Sequence, residues 1–304
     1  MRAPSPLASS IRPLLHGCIG LLLGLAVSTS ASAQTSSVPR GGFYVGLGGS
    51  YNLVNTDTQH IYAKGTSDVF NSSGTKVQTG TADGPPVPVF MDSELSLAPS
   101  VQGGYFQHFA TSSWLWGAKF SYSYLNTTST NRNALIPQVG SFTTLSTGAV
   151  TPFTGNALIS YAQTTALHQI ALVPFIGHSF EKIFVYGGAG PTLSQVRTDL
   201  NGLVGFADIN GTHTNVSGAA QSFTGSNWVY GITGMIGATY FLSKSWFLDV
   251  NYSLATTKNQ TSNFASTFAN PNGLNDTSTT GTLVGYSTWK VITQGVSVSL
   301  NKLF

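Results

Sequence analysis

From Gly41 onward the chain alternates. In GGFYVGLGGSYNLV, Phe43, Val45, Leu47, Gly49, Tyr51 and Leu53 share one parity, while Tyr44, Gly46, Gly48, Ser50 and Asn52 share the other. A period of two belongs to a β-strand with one apolar face and one small or polar face. The alternation recurs from Glu94 to Phe106. It is clearest from Trp114 to Leu125, where Trp114, Trp116, Ala118, Phe120, Tyr122 and Tyr124 oppose Gly117, Lys119, Ser121 and Ser123. Further strands are predicted at about 159–178, 182–194, 227–241, 246–255 and 286–304, making eight. The fourth, within LHQIALVPFIGHSF, is apolar on both parities, so its facing stays open, and its Pro174 removes a ladder hydrogen bond.

The connections alternate in length. Residues 108–113, 179–181 and 242–245 are tight turns, whereas 55–93, 126–158, 195–226 and 256–285 are long, rich in Ser, Thr, Asn and Gly, and predicted as loops. A further hairpin within 200–222 would raise the strand count to ten. Short turns at one end and long loops at the other is the asymmetry of an up-and-down barrel in an outer membrane.

Composition narrows the class. Only 8% of residues are charged, against about 25% in soluble domains, and after the N-terminal leader no apolar run approaches the ~20 residues of a membrane helix. The fold class implied is all-β: a transmembrane antiparallel up-and-down β-barrel of eight strands, closed because lipid cannot satisfy open sheet edges. The five tryptophans, Trp114, Trp116, Trp228, Trp246 and Trp289, fall near predicted strand ends and are expected to form an aromatic girdle at headgroup level.

Residues 1–33 read as a signal peptide: Arg2 and Arg12, a short apolar core from Leu14 to Val27, then Ala31-Ser32-Ala33. Residues 34–40 are then a short periplasmic segment and 41–304 the barrel. Cys18, the single cysteine, lies in the leader, so the processed chain has no disulfide or thiol chemistry. Processing also leaves eleven basic and ten acidic residues, so the basic pI is no argument for nucleic acid.

The stretches Phe43-Tyr44-Val45-Gly46-Leu47-Gly48-Gly49, Trp114-Leu115-Trp116-Gly117-Ala118-Lys119-Phe120 and Phe184-Val185-Tyr186-Gly187-Gly188-Ala189-Gly190, with the terminal Phe304, carry a likeness that covers Gly41 to Phe304. Together they resemble the small outer-membrane β-barrel family of Gram-negative bacteria, which includes the OmpA-like transmembrane domain and the Omp25-type porin-family proteins. The resemblance implies that Phe304, with Leu300, Val298 and Val296 on its parity, is a signal for the barrel-assembly machinery. Lys302 stands there in place of a more usual apolar residue. The resemblance also implies outer-membrane lipid and lipopolysaccharide as surroundings and the cell outer membrane as location. The peptidoglycan-binding domain that follows the barrel in OmpA-like proteins is not expected.

Candidate chemistry is sparse. Lys119 and Asp249 are the charges expected to face the lumen in mid-strand, on the third and seventh strands, which lie opposite each other in an eight-stranded ring. Buried charges need partners, so a cross-lumen pair is expected, either bracing the core or forming a gate. The inward sets, such as Gly46, Gly48 and Ser50, or Gly117, Ser121 and Ser123, are small. Some wet volume is therefore expected, which keeps open a narrow porin-like channel or a cavity for small or hydrophobic solutes. The alternative is glycine serving curvature and close packing. His178-Ser179 with Glu181 is a poor catalytic constellation, because neighbouring strand residues point oppositely. His60, His108 and His213 are isolated, and neither a metal nor a cofactor is expected. The expectation is a non-enzymatic envelope or surface-interaction protein with long extracellular loops.

Overall fold

A computed structural model describes residues 38–209, 211–273 and 276–304, without the side chain of Thr58. The predicted leader, residues 1–33, and most of the segment 34–40 expected to be periplasmic lie outside the described residues. The chain runs β1 (Gly41–Phe70), β2 (Lys76–Asp83), β3 (Val87–Val89), β4 (Glu94–His108), β5 (Trp114–Thr144), β6 (Val150–Ser179), β7 (Ile183–Ile209), β8 (Thr212–Asn215), β9 (Gln221–Phe241), β10 (Trp246–Thr257), β11 (Gln260–Asn270) and β12 (Ser278–Leu303). Every ladder is antiparallel, and the ring β1-β4-β5-β6-β7-β9-β10-β12 closes by pairing β12 with β1 from Tyr44↔Leu303 to Phe70↔Ser278. Phe304 N–H then donates to the Phe43 carbonyl at 2.8 Å, locking the seam. The ring has the expected eight strands. The 200–222 region does fold back as a hairpin, but β8 pairs with β7 alone and adds nothing to the ring.

The strands are far longer than the alternating segments predict. β1, β5 and β6 have 30, 31 and 30 residues, so at about 3.3 Å per residue and a tilt near 40° the wall stands roughly 75 Å tall. The lipid-facing band of such barrels is about 25 Å. Most of the segments predicted as long loops are therefore continuous wall.

The facing of the strands explains the discrepancy. On β1, Phe43, Val45, Leu47 and Tyr51 point outward and are exposed, whereas Ile61, Ala63 and Val69 are buried inside. All are odd-numbered. The register shift between Asp57 and His60 rotates the strand by one residue, so one sequence parity serves lipid below the bulge and the interior above it. On β7 the same exchange follows the shift between Leu200 and Leu203, where Gly202 adopts φ +70°. The outward face above the bulges is Ser/Thr/Asn-rich because water meets it, and that composition is what reads as loop.

The facing of β6 is now fixed: Val173 and Phe175 are buried inside, while Leu172 and Ile176 face outward. Its ladder with β7 is interrupted between Ala171↔Thr192 and Phe175↔Gly188, around Pro174.

Candidate functional site

The lumen is packed in layers. At the tight-turn end Tyr44, Phe106, Phe184, Phe241 and Phe247 form one aromatic layer, with ring centroids 5.2 Å apart for Phe106–Phe184, 5.1 Å for Phe241–Phe247 and 5.3 Å for Tyr44–Phe247. Val38, from the segment before β1, is buried in the same cluster, and its N–H donates to the Glu181 carbonyl at 3.1 Å. The tight-turn end of the barrel is thus stoppered.

Lys119 of β5 and Asp249 of β10 lie in the next layer, 2% and 3% exposed. They meet across the lumen as an ion pair of 2.5 Å. Opposite positions in the ring and inward parity bring them together. The Tyr186 hydroxyl lies between them, 2.8 Å from the Lys119 ammonium and donating to Asp249 Oδ1 at 2.8 Å. Thr239 donates to Oδ1 at 3.1 Å, and Asn251 and Gln102 donate to Oδ2 at 3.1 and 3.3 Å. Gln102 also donates to Asn301 Oδ1 at 2.8 Å. Asp249 therefore gathers donors from five strands, β4, β5, β7, β9 and its own β10, which offsets much of the desolvation of a buried carboxylate.

The glycines that suggest free volume are seats for these side chains. A Cβ at Gly117 would collide with the Phe175 ring, at Gly237 with the Tyr186 ring, and at Gly104 with the Tyr44 ring. Large side chains of neighbouring strands occupy the space that small ones leave, so at this level the expected wet lumen narrows to a polar cavity of about 40 Å³ above the ion pair, lined by Ser50, Asn52, Ser121, Gln169 and Ser297 among others, and a second, mostly apolar cavity of about 70 Å³ lies higher, among Phe142, Phe153, Leu203 and Phe268.

Above that cavity an apolar plug of Val54, Ala98, Leu125, Ala166, Val196, Val229 and Val291 surrounds Trp289. Trp289 is 1% exposed, and its indole N–H has no partner among the described residues. This corrects the expected girdle: Trp289 shares the odd, inward parity of Val291, Ser299 and Leu303 on β12, so it packs the core. Trp114, Trp116, Trp228 and Trp246 do face outward. Trp228 lies toward the hairpin end of β9 and the other three toward the tight turns. Two further apolar clusters, around Ile136, Ile159 and Leu203 and around Phe142 and Phe153, line the interior beyond.

At the closing strand Phe304, Leu300 and Val298 are exposed on one face, with Val296 half-buried on the same parity. Lys302 fits this apolar row because its ammonium lies over the rings of Trp246 and Phe304, 5.9 and 5.3 Å from their centroids. Ser179 meets His108 rather than serving with His178 and Glu181. Its hydroxyl lies 2.9 Å from His108 Nε2 and donates to the Ser113 carbonyl, while Nδ1 faces the Arg40 carbonyl. These bonds tie β4, β6, a turn and the entering chain together. Among the described residues no three His, Cys, Asp or Glu side chains gather as a metal site.

Residues 19–287 match the outer membrane protein beta-barrel domain family. The chain belongs to that family. It is an outer-membrane barrel, and barrels of this kind carry their tight turns on the periplasmic side and their longer hairpins outside the cell. Among solved structures it is similar to the outer membrane protein OprG from Pseudomonas aeruginosa, at 12% identity over 86% of this chain and 97% of that one, with a TM-score of 0.31. It is also similar to Neisserial surface protein A, at 11% identity over 82% and 99%, TM-score 0.28, and to the outer membrane protease OmpT from Escherichia coli, at 10% over 90% and 100%, TM-score 0.27. No curated protein matches the sequence.

Outside the membrane, ion pairs stitch the extracellular wall. Lys76 meets Asp68 at 2.7 Å and Lys64 meets Asp83 at 3.6 Å. The hydrogen bond from Lys76, then that from Thr79, holds the Asp68 carboxyl below its ordinary range. The Tyr62 hydroxyl, then the Gly84 N–H and Lys64, does the same for Asp83.

Proposed function

We propose that this protein is a non-conducting outer-membrane barrel whose packed lumen braces a tall wall, and that its role is to present that wall and its hairpins outside the cell. The stoppered lumen carries this reading: a five-ring aromatic layer, a cross-lumen ion pair and a Trp289-centred plug lie in series along the axis. A solute on the axial path would have to displace all three. The alternative, a narrow porin-like channel, would require the buried ion pair to break, which costs several kcal/mol. The exterior supports a presenting role, since the wall continues for two-thirds of β1 beyond its lipid-facing residues.

Reconstitution of the refolded, processed chain in planar bilayers tests this. The expected result is a baseline indistinguishable from protein-free membrane. Stable unitary conductance steps would establish the channel reading instead. Assembly by the barrel machinery through Phe304 and its row belongs to the same proposal, and deletion of Phe304 should slow insertion without changing the fold of protein already inserted.

A further inference from the structure

Between the two upper apolar clusters the interior leaves a chamber of about 70 Å³. Its walls are mostly apolar, with Phe142, Phe153, Leu203, Phe268 and Leu283, and among the described residues no charged side chain lines it. Phe142 and Phe153 stand over it on the hairpin side, their ring centroids 5.0 Å apart. An apolar cavity of ~150 Å³ takes benzene, so a chamber of about half that volume takes a guest of about three to five non-hydrogen atoms. Apolar walls offer water too few hydrogen bonds and favour an apolar body.

Two polar side chains break the apolar lining. Gln138 is 7% exposed and lines the chamber. Its amide nitrogen donates to the Pro137 carbonyl at 3.2 Å, and its Oε1 accepts no hydrogen bond from the described residues. A buried carbonyl oxygen left unpaired is costly, so the chamber favours a guest that brings a donor. Ser217, equally buried, lines the same chamber. Its hydroxyl accepts from the Gly205 N–H at 2.7 Å and finds no acceptor for its own proton among the described residues. The polar atom of the guest must then both donate and accept, as a hydroxyl does. An amine or a carboxylic acid would also ionise near neutral pH, and an unpaired charge among these walls is expensive.

We propose that this chamber is a binding site for a short-chain alcohol, with Gln138 accepting from its hydroxyl and Ser217 donating to it. Binding there requires no passage below the Trp289 plug, so a conducting barrel would overturn the closed-lumen reading and leave this one standing.

Methyl NMR of the refolded full barrel in detergent tests it, with 2-propanol and acetone as probes. The two share one carbon skeleton, but only the alcohol can donate to Gln138. The methyls of Leu203, Leu283 and Val216 report the chamber, and those of lipid-facing Leu97 report solute dissolved in the micelle. The expected result is a saturable shift of the chamber methyls, half-complete at about one-tenth the concentration for 2-propanol that acetone needs, while Leu97 drifts linearly. Gln138→Leu should raise the half-saturating concentration of 2-propanol about tenfold and leave that of acetone unchanged. Heat-dependent gel migration verifies that the variant folds, and the comparison of the two probes on the unaltered protein needs no variant. Chamber shifts that fail to saturate or that track Leu97, equal half-saturation by the two probes, or an unchanged preference for the alcohol in Gln138→Leu would each overturn the proposal.

Discussion

Two halves of one wall share strands and hydrogen-bond ladders yet solve opposite solvent problems. At membrane level Phe43, Leu47, Ile232 and Leu254 face outward, and the interior holds Lys119, Asp249, Gln102 and Asn301. In the extracellular half Ile61, Ile136, Ile159, Phe264 and Phe268 face inward, and the outside is polar. The lower half therefore sets a layer of directed polar bonds between an aromatic layer and the Trp289 plug, with its outward apolar residues left to lipid. The upper half is held as a soluble barrel is, by burial of apolar surface. Bulges and a left-handed glycine let single strands cross from one regime to the other.

The comparison breaks most sharply at the ion pair. Asp249→Ala leaves Lys119 buried without its counter-charge and strands four further donors, and is expected to cost about 3–5 kcal/mol in urea unfolding followed by tryptophan fluorescence. Lys119→Met should cost less, because Tyr186, Thr239, Asn251 and Gln102 still serve the carboxylate. Equal losses would mean that the pair, rather than the whole donor set, holds the lower core.

A truncation above the membrane should act locally. Phe268 packs its ring over Gly281 of β12, and Phe268→Ala is expected to cost up to about 3 kcal/mol. Hydrogen exchange should rise along β11 and residues 278–285 of β12 and stay unchanged in 246–255. A rise in both would show that the halves unfold as one unit.

The smallest effect is that of acid. The carboxyls of Asp68 and Asp83 lie lower in the folded wall than in the unfolded chain. Their contribution is complete above the unfolded value of about 3.9 and is lost as pH falls through the folded values. Both pairs are exposed, so the expected change is a modest loosening near the extracellular tip below pH ~4, read as faster exchange around Phe70 and Lys76 with the membrane half unmoved.

The membrane half was legible because lipid outside and small residues inside enforce strict alternation, as in Trp114 to Leu125. The Lys119–Asp249 pair was legible from parity and ring position together. Its supporting donors were not, because which of Gln102, Tyr186, Thr239 and Asn251 reach Asp249 depends on strand stagger, which alternation does not encode. Trp289 was misplaced by its nearness to a strand end, although its parity matched the inward Ser297 and Ser299. The extracellular wall was hidden for a different reason: its apolar residues are sparse, its outside is polar, and its bulges shift the period at the membrane boundary.

The exchange of faces along β1 is the claim on which the two-regime account rests, and single-cysteine nitroxide scanning tests it directly in residues 34–304, which hold no cysteine of their own. Labels at 45, 47 and 51 should meet oxygen dissolved in lipid, labels at 61, 63 and 69 should be immobile and shielded from both oxygen and water-soluble nickel, and labels at 64 and 66 should meet nickel. One uninterrupted odd–even profile from 43 to 70, or fast isotropic motion throughout 55–70, would contradict the account.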